Sequence, residues 1–214
     1  MRRIVEAFMR FFFKHLYTTF AWTYDLVAWT TSMGQWRTWQ QAAFIAFEPG
    51  LLLELGHGPG HLLLDFSDAG YRIFGVDASL QMSRLASRKI KAASLPNRVI
   101  RASALALPLK SSSFSGAVAT FPSEYILQQE TMQSIHRVLT PQGKFVVIGL
   151  QSITGQALYD RLASWLYRIT GQADHPEDSY QAWLNQLRDL GFDARIEIVE
   201  QKRAKVLRVV ARKM

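Results

Sequence analysis

The stretch LELGHGPGHLL (53–63) constrains this chain more than any other. An apolar run, LLLEL (51–55), leads into three glycines at alternate positions, Gly56, Gly58 and Gly60, and a second apolar run follows. The first run starts after the Pro49-Gly50 turn and reads as a buried strand. The second reads as a short helix over 61–70 that ends at Gly70. Glycine takes positive φ without strain and leaves no Cβ between the backbone and a ligand. The loop therefore presents backbone N–H groups and a helix N-terminus, an arrangement that suits an anionic group.

The pattern continues. YRIFGVD (71–77) reads as a strand, and a helix starts after Ser79, which fits as its N-cap. RVIRASA (98–104) and GAVATF (116–121) read as strands, separated by a Pro/Ser-rich loop. A helix over 128–139 stops before Pro141-Gln142-Gly143, and KFVVIGL (144–150) is a further buried strand. Amphipathic helices are expected near 156–169 and 178–190, then ARIEIVE and KVLRVVARK as a hairpin. Alternation of strands and helices predicts an α/β fold: a doubly wound, mostly parallel, Rossmann-like seven-stranded sheet with an antiparallel C-terminal hairpin. Residues 1–47, helical and rich in aromatics, are expected to form an N-terminal helical lid, with 48–214 as the ligand-binding domain.

In open α/β sheets ligands bind outside the carboxyl ends of the strands. Asp77 ends the second strand, where an acid accepts hydrogen bonds from ribose hydroxyls. Adenosine carrying an anionic or zwitterionic group is implied. The glycine spacing is G-x-G-x-G, not the G-x-G-x-x-G of dinucleotide sites, so a pyrophosphate is disfavoured.

The spacing, with Glu54 before it, resembles motif I of the class I S-adenosylmethionine-dependent methyltransferases. VDASLQM (76–82), SALALPL (103–109) and HRVLTPQGKFVVIG (136–149) resemble that family's following segments, in order. YDLVAWTTSMGQWRTWQ (24–40) is similar to the N-terminal segment of the ubiquinone and menaquinone biosynthesis methyltransferases. The resemblance implies S-adenosylmethionine as cofactor. It places Gly56, Gly58 and Gly60 along the methionine part, with Glu54 supporting the loop, Asp77 on the ribose, and Ala78 and Met82 beside the adenine. Tyr24 would close over the methionine end, and Phe121 joins the cofactor set. Ser103 stands where the family often has an acid that accepts from the adenine amino group. A hydroxyl accepts without charge assistance, or the Ala104 backbone takes over. Ser115 replaces another frequent acid, a change expected to be structural.

For the acceptor, Tyr24, Glu124 and Tyr125 are the candidates, and no residue stands out as a catalytic base. The histidines do not cluster at metal spacing, and no metal site is expected. His57 and His61, which flank the glycines, read as loop polarity. A sulfonium donor is already reactive, so holding acceptor and methyl in line is a sufficient mechanism. The expected reaction is methyl transfer to a small, apolar or lipid-like molecule.

Formal charge bears on the competing readings. At +8 the chain is basic, which suits nucleic acid, anionic lipid or an acidic ligand. A nucleic-acid methyltransferase is one alternative. It is disfavoured because Phe121-Pro122-Ser123-Glu124 places an acid where phosphates would lie. A non-catalytic S-adenosylmethionine-binding protein is the other. Arg2 and Arg3 precede apolar residues, but Glu6, Arg10 and Lys14 interrupt them, and neither a signal peptide nor a membrane span is read there. With no cysteine, the chain fits a reducing cytoplasm. Its basic, aromatic N-terminal segment also suits peripheral contact with a membrane.

Overall fold

A computed structural model describes residues 35–48, 50–153, 177–201 and 204–214. Tyr24, most of the expected lid and the helix expected at 156–169 lie outside the described residues. Helix α1 (Trp36–Gln40) passes into a 3-10 turn (Gln41–Ala46), then come β1 (Leu51–Leu55), α2 (His61–Asp68), β2 (Arg72–Asp77) and α3 (Leu80–Ala92). Next are β3 (Val99–Arg101), β4 (Phe114–Thr120), α4 (Gln129–Val138) and β5 (Leu139–Ile153). The order ends with α5 (Glu177–Asp189), β6 (Phe192–Gln201) and β7 (Ala204–Lys213).

The strands form one seven-stranded sheet in the order β3-β2-β1-β4-β5-β7-β6. The first five strands are parallel, and β7 pairs antiparallel with both β5 and β6. The fold is thus the α/β, Rossmann-like sheet expected. Strand order reverses between β1 and β4, so the glycine loop leaves β1 at the crevice where such sheets bind ligands.

Alternation along each strand separates two cores. Leu53, Leu55, Ala117, Ala119, Phe145 and Val147 face α4 and α5, joining Met132, Ile135, Trp183 and Leu187. Leu52, Val118, Val146 and Ile148 face the other way, against Leu62 and Phe66 of α2 and Trp39, Ala43 and Phe47. Glu54 shares the parity of Leu52, so its carboxyl is carried into the second layer. Among the described residues no helix is long and apolar enough to cross a membrane.

Candidate cofactor site at the glycine loop

The loop is built from left-handed glycines and one acid. Gly56, Gly58 and Gly60 have φ of 66°, 52° and 82°. A Cβ on Gly60 would lie 2.8 Å from the Ala86 Cβ, so this glycine lets α2 start against α3. A Cβ on Gly58 would meet nothing within 4 Å, and the space above it is open to a ligand. The Gly58 N–H donates to Asp77 Oδ2 at 2.9 Å, and the Ser79 N–H donates to Asp77 Oδ1 at 2.8 Å. Asp77 thereby ties the loop to the start of α3, with carboxylate lone pairs still free. Ser79 caps α3 by accepting from the Met82 N–H.

Two buried polar groups lie under the loop. Glu54 is 1% exposed, and its Oε2 has no hydrogen-bond partner. Burial raises its pKa well above the ordinary 4.5, and Asp77 and Asp65 push the same way. His57 is 3% exposed; its Nδ1–H donates to the Gly58 carbonyl at 2.7 Å, which leaves Nε2 buried without a partner. Burial holds this imidazole below the ordinary 6.5 against the pull of Asp77. This burial is not visible along the chain, because the ring packs against Gly75 in β2, where a Cβ would come within 2.9 Å of the imidazole.

Asp77, Ala78, Ser103 and Ala104 come together at the carboxyl ends of β2 and β3. The Ala102 N–H donates to the Asp77 carbonyl, and Arg101 Nε donates to the Ala78 carbonyl at 3.3 Å. Ser103 is exposed, and its Oγ accepts from the Leu105 N–H at 3.2 Å. Ala78 is exposed, whereas Met82 is buried at 1% and offers the crevice no surface. Ser115 donates to the Leu51 carbonyl, a bond between strands.

On the β4 side, Phe121 has φ of 48°, an outlier for a bulky residue, fixed by its N–H donating to Ile148 O at 2.7 Å. Its ring packs on Trp36 at 4.3 Å and lies 6.3 Å from Trp39. Tyr125 reaches back beneath Gly56 and donates its hydroxyl to the Leu55 carbonyl at 3.2 Å. Glu124 is exposed. Trp36, Arg37 and Gln40 belong to the 24–40 segment that resembles the quinone-biosynthesis enzymes, and they pack where the sequence alone assigned them no contact. Arg37 pairs with Asp65 of α2, and Gln40 donates to Thr120 Oγ1 at 2.9 Å. Tryptophans three apart in a helix, beside an arginine, were the available signal.

The cradle fits an adenosine ligand with a compact polar tail: Cβ-free space at Gly58, an acid with spare lone pairs, and unpartnered atoms on Glu54 and His57. Residues 53–147 match the family model described as a methyltransferase domain. Over 149 residues the chain is 30% identical to the ubiquinone/menaquinone biosynthesis C-methyltransferase of Syntrophotalea carbinolica, covering 67% of this chain and 63% of that one. It is 31% identical over 101 residues to a sterol 4-C-methyltransferase of Caenorhabditis elegans, covering 46% and 30%. The chain spans less than two thirds of the length of either relative. A solved S-adenosylmethionine-dependent methyltransferase from Methanosarcina mazei shares the fold, with a TM-score of 0.59 at 18% identity over 81% of this chain and 97% of that one.

Proposed function

We propose that the protein, whose residues 53–147 match a methyltransferase-domain model, transfers a methyl group from S-adenosylmethionine to a small, apolar, lipid-like acceptor. The observation that carries this reading is the glycine loop, open over Gly58 and tied to Asp77. Bound there, S-adenosylmethionine supplies a methyl group on a positively charged sulfur, an electrophile that needs no further activation. The chain's part is to hold, orient and exclude water.

Gly58 leaves room for the methionine portion, with Gly56 and Gly60 shaping the loop and Glu54 beneath it. Asp77 accepts from the ribose hydroxyls. Ala78, Ser103 and Ala104 receive the adenine. Phe121 borders the site from β4, held by Trp36, and the role assigned to Tyr24 is to cover the methionine end. Holding two reactants in line accounts for about 7–11 kcal/mol of barrier reduction, so no dedicated base is required unless the acceptor loses a proton early. Tyr125 already donates its proton to Leu55 O, which leaves its ring, with the exposed Glu124, to meet the acceptor. The apolar acceptor is supported by the aromatic N-terminal segment, read as a lid, and by relatives named for quinone biosynthesis and sterol methylation.

The test is a transfer assay with methyl-tritiated S-adenosylmethionine, a bacterial membrane lipid extract and total nucleic acid in one mixture. Label is expected in the organic phase. Label confined to nucleic acid, or none in any fraction from a protein that binds the donor, would overturn the assignment.

A further inference from the structure

Among the described residues, a run of positive charge unopposed by any acid lies at one edge of the sheet. Between Asp77 and Glu124 there is no acidic residue, and there are seven basic ones: Arg84, Arg88, Lys89, Lys91, Arg98, Arg101 and Lys110. This stretch supplies α3 and β3, the helix and strand at the sheet's first edge. At the opposite edge four of the described cations face carboxylates. Arg195 and Arg208 bond Glu197, Lys205 lies 3.8 Å from Glu200, and Arg212 lies 3.6 Å from Asp193.

Arg84, Arg88 and Lys91 are exposed and recur at i, i+4 and i+7, so they line one face of α3. None of them forms an ion pair among the described residues. Like charges four apart oppose helix formation unless something outside neutralises them. Arg88 and Lys91, with Ser87, Ser94, Leu95 and Asn97, line an open hollow of about 460 Å³ at the end of α3. Two cations, two hydroxyls and an amide are donors for phosphate oxygens. Between and beyond them Ala92, Ala93 and Pro96 are exposed, small and apolar.

We propose that the α3–β3 edge docks on an anionic membrane surface, the phospholipid headgroups filling the hollow and facing Arg84, Arg88 and Lys91. Charge complementarity selects the occupant class. Lipid is favoured over nucleic acid because, among the described residues, this face exposes no aromatic ring to stack on a base; Phe74 is half-buried with Arg98 over it. Small apolar residues between cations suit a headgroup layer instead. The inference rests on charge placement and stands apart from the identity of the acceptor.

The experiment is co-sedimentation of the full chain with vesicles of phosphatidylcholine alone or with phosphatidylglycerol at 30 mol%. The triple variant Arg84→Gln/Arg88→Gln/Lys91→Gln is compared with the control Lys205→Gln/Arg212→Gln, on the ion-paired edge. Circular dichroism verifies that both are folded. At roughly one kilocalorie per mole for each cation near such a surface, the triple variant should bind anionic vesicles about 100-fold more weakly. The control should bind like the wild type, and 0.5 M salt should release both. Equal binding to both vesicle types, or an unweakened triple variant, would overturn the proposal. So would a duplex RNA that displaces the protein from the vesicles and itself loses binding in the triple variant.

Discussion

Gly58 and Gly60 are both left-handed, yet a methyl group added to each meets different surroundings. At Gly60 it collides with Ala86, so Gly60→Ala combines a left-handed penalty of about 1–2 kcal/mol with overpacking of about 1–3 kcal/mol. At Gly58 only the conformational cost applies, about 1–2 kcal/mol. Urea denaturation should therefore rank Gly60→Ala as the less stable. Titration should show Gly58→Ala losing cofactor affinity while folded, and the reverse ranking would contradict the assigned roles. Asp77→Ala should weaken S-adenosylhomocysteine binding by about 1.5–3 kcal/mol, against about 0.5–1.5 for Ser103→Ala, since bonds to a carboxylate are charge-assisted. Equal losses would show the ribose to lie elsewhere. Glu54 gives a pH signature. Its folded pKa is raised by burial, so the folded state holds a proton that the unfolded chain releases above about 4.5. Its contribution to stability is complete below that value and is lost as pH rises toward the raised pKa. Glu54→Gln should flatten this decline in denaturation midpoints between pH 4 and 8; an unchanged slope would mean the carboxyl is not the source. Glu54, Asp77 and the glycines were legible because their spacing along the chain sets their place. His57 was not, because its burial depends on Gly75, a contact between the loop and β2.

At the scale of elements, the packing of Trp36–Ala46 matters most. Trp39 is fully buried, Arg37 pairs with Asp65, Gln40 bonds Thr120, and the Ala42 carbonyl accepts from Arg208 at 2.9 Å. The segment is bound to α2, β4 and β7 at once. Trp39→Ala should cost about 3–5 kcal/mol in chemical denaturation, the range for emptying a large aromatic site; a cost below about 1 kcal/mol would mean the segment is loosely applied. Strands and helices read from the sequence agree with the structure to within a few residues at most ends, because buried strands and amphipathic helices carry their periods openly. Two boundaries moved for local reasons. The strand read over 98–104 ends at Arg101, since Ser103 caps a 3-10 turn through the Leu105 N–H. The strand read over 144–150 extends from Leu139 to Ile153. Pro141-Gln142-Gly143 have no partner in β4: pairing passes from Phe114–Leu139 to Gly116–Lys144, with Gln142 between them at φ of 65°. A Pro-Gln-Gly run reads as a break in sequence, and only the partner strand makes it a bulge.

For the whole molecule, the division of labour proposed is a sheet that binds the cofactor and an N-terminal segment that shapes the acceptor site. The expected boundary at residue 47 meets the packing of Trp36–Phe47 into the second core, so truncation can separate lid from scaffold. Removing 1–34 should leave a folded protein that binds S-adenosylhomocysteine and loses acceptor turnover. Removing 1–47 should abolish cooperative unfolding in circular dichroism, because the loss of Trp39, Ala43 and Phe47 uncovers the part of the sheet's second face that α2 does not reach. Full turnover without residues 1–34 would remove the lid from the mechanism. Fold and cofactor loop were legible because the G-x-G-x-G spacing and the β-α alternation are local. The contacts around the side proposed for the acceptor were less legible, because they join residues far apart in the chain, such as Trp36 with Phe121 and Tyr125 with the Leu55 carbonyl. The most direct measurement is calorimetric titration of the full chain with S-adenosylhomocysteine and, separately, with NAD. The account predicts binding of S-adenosylhomocysteine with a dissociation constant on the order of micromolar, clearly weakened in Asp77→Ala, and no heat with NAD. Saturable binding of NAD, or no heat with S-adenosylhomocysteine, would contradict it.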